Sequence, residues 1–267
     1  PVVISCFGRD INVSSDRLHV WSVQESIKEA DQIIVTNQDL ANQIDSKGNS
    51  GKCIILPMPI DLPKLDINNY HKTNKVMNIL TINSCFKEDK NIDLLIKATS
   101  NLNKIHLFIA GADDHPTKKN EIRLKQLVKT LNMDDKVTFT GYLNREQVFS
   151  QLQASDIFVD ARKFSNFSSV LIEAMYMKVP VICSRNKFSL EIFQNDENRL
   201  FDINNANYLS EIINLCRNEN YRQDLISRQD IWMKNHLEIF EPNKHFNKIL
   251  NIYKELTYDY RITKRKY

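Results

Sequence analysis

The stretch Asp160-Ala-Arg-Lys-Phe-Ser-Asn-Phe-Ser-Ser-Val-Leu-Ile-Glu-Ala-Met-Tyr-Met-Lys-Val-Pro-Val-Ile-Cys183 decides how the chain is read. It parses as a loop, a helix and a short buried strand. Asp156-Ile-Phe-Val159 ahead of it has the apolar, β-rich character of a strand end. Ser165, Asn166, Ser168 and Ser169 are of the types that begin helices, since their side-chain oxygens accept from the first unpaired backbone N–H groups. Val170, Leu171, Ala174 and Met175 then fall at helical spacing and predict one core-facing side. Pro180 is expected to stop this helix, and Val181-Ile-Cys183 to continue as a strand. Strand, polar loop and helix start together make an anion site, because unpaired N–H groups and the positive end of the helix dipole both face the loop. Glu173 falls one to two turns into the helix, within reach of a ligand seated there.

Working outward, residues 76–82, 105–110 and 136–142 read as strands, and 92–102, 121–131 and 145–154 as helices. Strand and helix alternate from 76 to 201, which predicts an α/β fold with a doubly wound parallel sheet. Right-handed crossovers then gather the intervening loops at one edge of that sheet. A shorter run of the same kind comes first: strands at 1–7, 31–36 and 53–56, helices at 18–30 and 37–44. Pro57, Pro59 and Pro63 stiffen its exit, and 66–75 is polar enough for a linker. The expected division is residues 1–70 for a partial N-terminal Rossmann-like domain with its linker, 71–240 for the larger domain, and 241–267 for a last amphipathic helix and basic tail. Strands missing from the small domain would precede Pro1, so an apolar sheet edge and face are expected to stand uncovered.

Composition narrows the function classes. The 267 residues are 42% hydrophobic and 26% charged, an ordinary globular profile. A net charge of +3 is too small to indicate nucleic acid. The five cysteines are odd in number and scattered, as for reduced thiols in a cytoplasmic protein rather than a disulfide frame. No apolar run is long enough to span a bilayer. Basic faces at Arg123, Lys125 and Lys129, and in the tail, add peripheral contact with the inner face of the cell membrane as an expectation. There is no Asp-x-Asp, and the six histidines show no ligand spacing, so neither metal nor cofactor is expected.

The quoted stretch resembles the donor-site signature of the retaining glycosyltransferases of the large family 4 group, which have the GT-B fold. Their pattern, Glu-Gly-Phe-Gly-x-x-x-x-Glu-Ala-Met and then Pro-Val, is met here by Ser165-Asn166-Phe167-Ser168, Ser169 to Ile172, Glu173-Ala174-Met175 and Pro180-Val181. The likeness is strong over 136–181 and runs on through most of the chain. It implies a nucleotide-sugar donor, a glycan or lipid-linked acceptor, and sugar transfer with retention in cell-envelope polysaccharide or lipopolysaccharide assembly. By the same likeness Glu173 holds the ribose, Ser165 stands where a Glu meets the sugar, and Asp10 belongs to a cleft-facing turn. Lys90 matches a Lys that neutralises the diphosphate, and Gly141 closes the family's Val-x-Phe-x-Gly. Asn166, Phe167, Ser168 and Ser169 complete the donor-binding loop. Cys85 replaces an Arg and Phe7 a His, so Arg162 and Lys163, from one loop, are the proposed replacement cations. Two other readings stay open: a degenerate module that binds nucleotide or a partner subunit without catalysis, and a nucleotide-sugar epimerase.

Overall fold

The computed structural model describes residues 1–6, 17–46, 48, 51–63, 76–165 and 167–264. Asp10, Asn166 and the linker expected at 66–75 lie outside the described residues. The chain divides into two compact units, residues 1–61 with 235–267, and residues 62–234. These breaks differ from the 70 and 240 read from the sequence.

In the first unit, β1 (Val3–Cys6), α1 (Arg17–Glu29), β2 (Gln32–Val35), α2 (Gln38–Asp45) and β3 (Cys53–Ile55) form a parallel β1-β2-β3 sheet with two helices. Asn37 caps α2, its side-chain oxygen accepting from the Leu40 N–H at 2.9 Å. Ile27 of α1 and Leu40 and Ile44 of α2 bury against Ile33 and Val35.

The second unit begins at β4 (Met77–Ile82) and runs through α3 (Ile92–Thr99), β5 (Ile105–Ala110), α4 (Lys119–Thr130), β6 (Val137–Gly141), α5 (Arg145–Ala154) and β7 (Ile157–Asp160). It continues with α6 (Ser169–Tyr176), β8 (Val181–Ser184), α7 (Lys187–Phe193), β9 (Leu200–Phe201), α8 (Ala206–Leu215) and α9 (Glu219–His236). Among the described residues the strands pair in parallel in the order β6-β5-β4-β7-β8-β9. Ile79 and Val159 bury in a core with Leu95 of α3 and Ile212 of α8. Their neighbours along the strands, Leu80 and Phe158, are just as buried. Side chains alternate across a strand, so both faces of the sheet are covered, as in a doubly wound fold. The strand order reverses at β4, and ligands of such sheets bind at the carboxyl ends of strands where it reverses.

α10 (Pro242–Lys264) belongs to the first unit. It sets Ile252 against Ile34 and Leu56, with Ile249 and Leu256 packed on the same cluster as Val3 and Ile54. The expectation of an uncovered sheet face is therefore corrected: α1 and α2 cover one face and α10 packs on the other. β1 stands at the sheet's edge.

The helix stop is also corrected. α6 ends at Tyr176, ahead of Pro180, because its last carbonyls are closed by a backbone motif. The Lys178 N–H donates to the Met175 carbonyl at 3.1 Å and the Val179 N–H to that of Ala174 at 2.9 Å. Lys178 takes the left-handed conformation usually given to glycine, at φ 58°. Its ammonium pairs with Asp230.

Two features fix the loop after β5. Gly111 has φ 123°, and a Cβ there would lie 2.0 Å from the Asn83 carbonyl oxygen. The backbones after β4 and β5 can approach only because that atom is missing. Asp113 then accepts from the N–H groups of His115, Asn120 and Glu121, and so ties the loop to the first turn of α4. Burial alone would raise its pKa, but these donors and the Asn120 amide outweigh burial and hold it at about 2.

Gly111→Ala is expected to destabilise the chain by roughly 3 kcal/mol or more in urea unfolding, from the clash and the positive φ together. Asp113 contributes stability above its unfolded value of 3.8 that is lost as pH falls toward 2. An Asp113→Ala variant should therefore melt below the parent at pH 7, and the gap should close as pH falls through that window.

Candidate functional site

A cavity of about 320 Å³ opens at the carboxyl ends of the second unit's strands. Asn83 and Ser84 follow β4, Gly111 follows β5, Tyr142 and Leu143 follow β6, and Arg162 follows β7. Lys90, the loop at Phe167 and Ser168, and Ser169, Val170 and Glu173 of α6 line it too, with Ile82, Ala110 and Val148 as apolar wall. The reversal of strand order has thus gathered residues from Asn83 to Glu173, far apart in the chain, into one hollow.

The start of α6 forms one wall. Ser168 is its N-cap in extended backbone, and its hydroxyl oxygen accepts from the Leu171 N–H at 3.3 Å. Ser169 is exposed at the first helical position. Phe167 is seated on Phe188, with ring centroids 5.5 Å apart. The N–H groups of a helix's first turn lack intrahelical acceptors, so this wall offers donors to an anion.

Three cation–carboxylate pairs surround the hollow. Lys90, in the 3₁₀ turn Glu88–Lys90, has its ammonium 2.6 Å from Asp89. The Arg145 guanidinium reaches the Glu173 carboxylate at 3.2 Å while lying 5.0 Å from the Phe149 ring centroid. Arg162 pairs with Asp160, through Nε at 2.7 Å and also through Nη2. Glu173 is 5% exposed, on the inward side of α6. Burial pushes its carboxyl above the ordinary range, and Arg145 pulls in the opposite direction. Burial opposes the charge on Arg162, but Asp160 outweighs it and the guanidinium's pKa rises.

The structure brings Lys90, Arg162, Phe167, Ser168, Ser169 and Glu173 to this one cavity. Ser165 does not line it; its hydroxyl donates to the Phe167 carbonyl at 3.2 Å. Gly141 turns the chain at φ 73° just before Tyr142 and accepts from the Gly111 N–H at 2.8 Å, so it shapes the rim. Asp10 and Asn166 lie outside the described residues. Sequence reasoning passes over Asn83, Tyr142, Arg145 and Asp160. Tyr142 ends a stretch matched for other reasons, and its 77% exposure at the mouth of an apolar-walled hollow is a feature only coordinates reveal. Among the described residues, no three His, Cys, Asp or Glu side chains cluster as metal ligands, and no helix is long and apolar enough to cross a membrane.

The Arg145–Glu173 pair sets an expectation for pH. A carboxyl whose folded pKa is raised costs stability as pH rises above its unfolded value of 4.5. Without Arg145 that cost grows. Arg145→Met should melt below the parent at pH 7, with the gap shrinking as pH falls from neutral toward 4.5, and in a Glu173→Gln background the same replacement should open no pH-dependent gap.

The geometry can be set beside known proteins. The family model described as Glycosyl transferases group 1 matches residues 66–231. The D-inositol 3-phosphate glycosyltransferase of Mycobacteroides abscessus is 25% identical over 174 residues, covering 60% of this chain and 38% of that protein. The O-antigen biosynthesis glycosyltransferase WclY of Escherichia coli is 32% identical over 130 residues, covering 48% and 34%. The matched part of the chain thus spans little more than a third of either relative. Among solved structures, sucrose-phosphate synthase from Thermosynechococcus elongatus superposes with a TM-score of 0.80 at 19% identity, covering 96% of this chain and 68% of that one. Anabaena Alr3699/HepE in complex with UDP and glucose gives 0.79 at 16%, covering 96% and 72%. These likenesses show the fold, the α/β architecture of GT-B glycosyltransferases.

Proposed function

The chain belongs to the group 1 glycosyl transferases, and on that premise we propose that it binds a nucleotide-diphosphate sugar in the cavity beside α6 and transfers the sugar to a hydroxyl acceptor. The observation that carries this reading is the convergence of Lys90, the α6 N-terminus and the buried Glu173 on one hollow at the sheet's reversal point. Lys90 and the first N–H groups of α6 stabilise the diphosphate as it leaves, without a bound metal. Glu173, part-way down the same helix, accepts from the ribose hydroxyls and gives up Arg145 as its partner. The transferred group is a hexose and its configuration is retained, in line with the family 4 resemblance. The WclY likeness supports a glycan or lipid-linked acceptor in cell-envelope polysaccharide or lipopolysaccharide assembly. Work on such an acceptor fits a cytoplasmic protein in peripheral contact with the membrane's inner face. The complex of Anabaena Alr3699/HepE with UDP and glucose makes UDP-sugars the first donors to try.

Ser165 favours a second reading. Its side chain carries no carboxylate and is absent from the cavity wall, and on that reading the module binds nucleotide without catalysis.

Calorimetric titration with UDP- and GDP-hexoses, followed by an assay for released nucleotide, separates these outcomes. Binding with turnover is expected; binding without turnover supports the second reading, and no binding overturns both. Glu173→Ala should weaken donor binding by about ten- to a hundredfold, the worth of charge-assisted hydrogen bonds. Lys90→Ala should weaken it by about tenfold and flatten its salt dependence.

A further inference from the structure

Arg162 is the most tethered residue of the loop between β7 and α6. Its carbonyl accepts from the Ser184 hydroxyl and from the Asn186 amide, the latter at 3.4 Å. Its guanidinium is held through two nitrogens. Nε donates to Asp160 Oδ1 at 2.7 Å, and Nη2 donates to Asp160 Oδ2 and to the Ser168 hydroxyl. The Arg162 N–H adds a bond to Asp160 Oδ1 at 3.3 Å. Asp160 is itself buried, 4% exposed, at the carboxyl end of β7. A forked contact of this kind fixes the plane of a guanidinium, which a lysine ammonium cannot reproduce. The remaining nitrogen, Nη1, has no partner among the described residues, and Arg162 lines the same cavity as Lys90 and the α6 N-terminus.

The loop makes a further connection. The Lys163 N–H donates to the Asp89 carbonyl at 2.8 Å, so the Arg162 loop is joined to the turn that carries Lys90. Ser168 serves two ends at once, as the cap of α6 and as acceptor for Arg162. The guanidinium and the helix N-terminus therefore share a mount.

We propose that Asp160 is a positioning residue, clamping the Arg162 guanidinium so that its Nη1 edge donates to a phosphate oxygen of a nucleoside diphosphate bound against α6. This rests on the reading of the cavity as a nucleotide-sugar site. Arg162 is the group that touches the ligand, and Asp160 acts through it. A carboxylate that merely balanced charge would be replaceable by any neutralising arrangement; the clamp requires both oxygens in the plane of the fork.

The test is titration of the chain with UDP and GDP, and with uridine and guanosine as controls lacking phosphate. Arg162→Ala is expected to weaken the better nucleoside diphosphate by about ten- to a hundredfold and to leave the nucleoside unchanged. Asp160→Asn, which keeps shape but loses one acceptor oxygen, should show a similar loss for the diphosphate alone. Most of that loss should vanish in the Arg162→Ala background, because Asp160 then holds no side chain but the Ser168 hydroxyl, at 3.3 Å. Arg162→Lys, which keeps the charge without the fork, should fall between the parent and Arg162→Ala. Arg162→Ala or Arg162→Lys binding as tightly as the parent would overturn the inference while leaving the donor site standing, as shown by loss of binding in Lys90→Ala. Equal losses for nucleoside and diphosphate in Asp160→Asn, with a lowered Tm, would make Asp160 structural and overturn its positioning role. If Asp160→Asn does not fold, Arg162→Lys decides by itself. Failure of the parent to bind either diphosphate would overturn the donor reading and the inference with it.

Discussion

Parallel strands all point their carboxyl ends the same way, and that constraint underlies the site. Every strand-to-helix loop of the second unit must emerge at one edge of the sheet. Where β4 separates strands added on one side from those added on the other, the loops part and leave a hollow. Chemistry is then decided by which short segments stand there. Gly111 lets two of those segments approach to a distance that any side chain would forbid. α6 supplies a helix start aimed at the gap.

The charges of the hollow are arranged in pairs. Lys90, Arg145 and Arg162 each have a carboxylate partner, respectively Asp89, Glu173 and Asp160. The pairs differ in burial. Asp160 and Glu173 are sequestered, whereas Arg145 is exposed for about half its side chain. Removing one member of a sequestered pair leaves a desolvated charge, so Asp160 and Arg162 bind the loop's shape to its electrostatics. Arg145 is held less tightly. It can be exchanged only for ligand hydroxyl groups that donate to Glu173 in its place, since the sequestered carboxylate is costly to leave unpaired.

Much of this was legible in the sequence. Apolar alternation and helical spacing point to the doubly wound sheet, with residues 105–110 and 145–154 matching β5 and α5 end to end. Ser168 and Glu173 could be read because a cap and an acid one turn later are local signals. The rest was hidden for reasons of range and context. Arg145 and Glu173 are 28 positions apart, and nothing in either neighbourhood announces the other. Asp160 at a strand end is an unremarkable residue until the guanidinium folds back onto it. The stop of α6 is hard to place from sequence because the left-handed position holds Lys178, where a glycine would have marked it. Pro180 was the only punctuation visible.

The small sheet's two coverings come from the two segments that flank the second unit in the chain. Its strands and first helices lie within residues 1–61, while α10 is made only after residues 62–234. A ribosome adding about 5–20 residues per second would take roughly ten to thirty-five seconds over that interval. Throughout it, Ile34, Ile54 and Leu56 await the helix that shields them. The second unit, continuous in the chain, is free to fold first. The small sheet's apolar strip therefore stays open in the nascent chain until the second unit has been made.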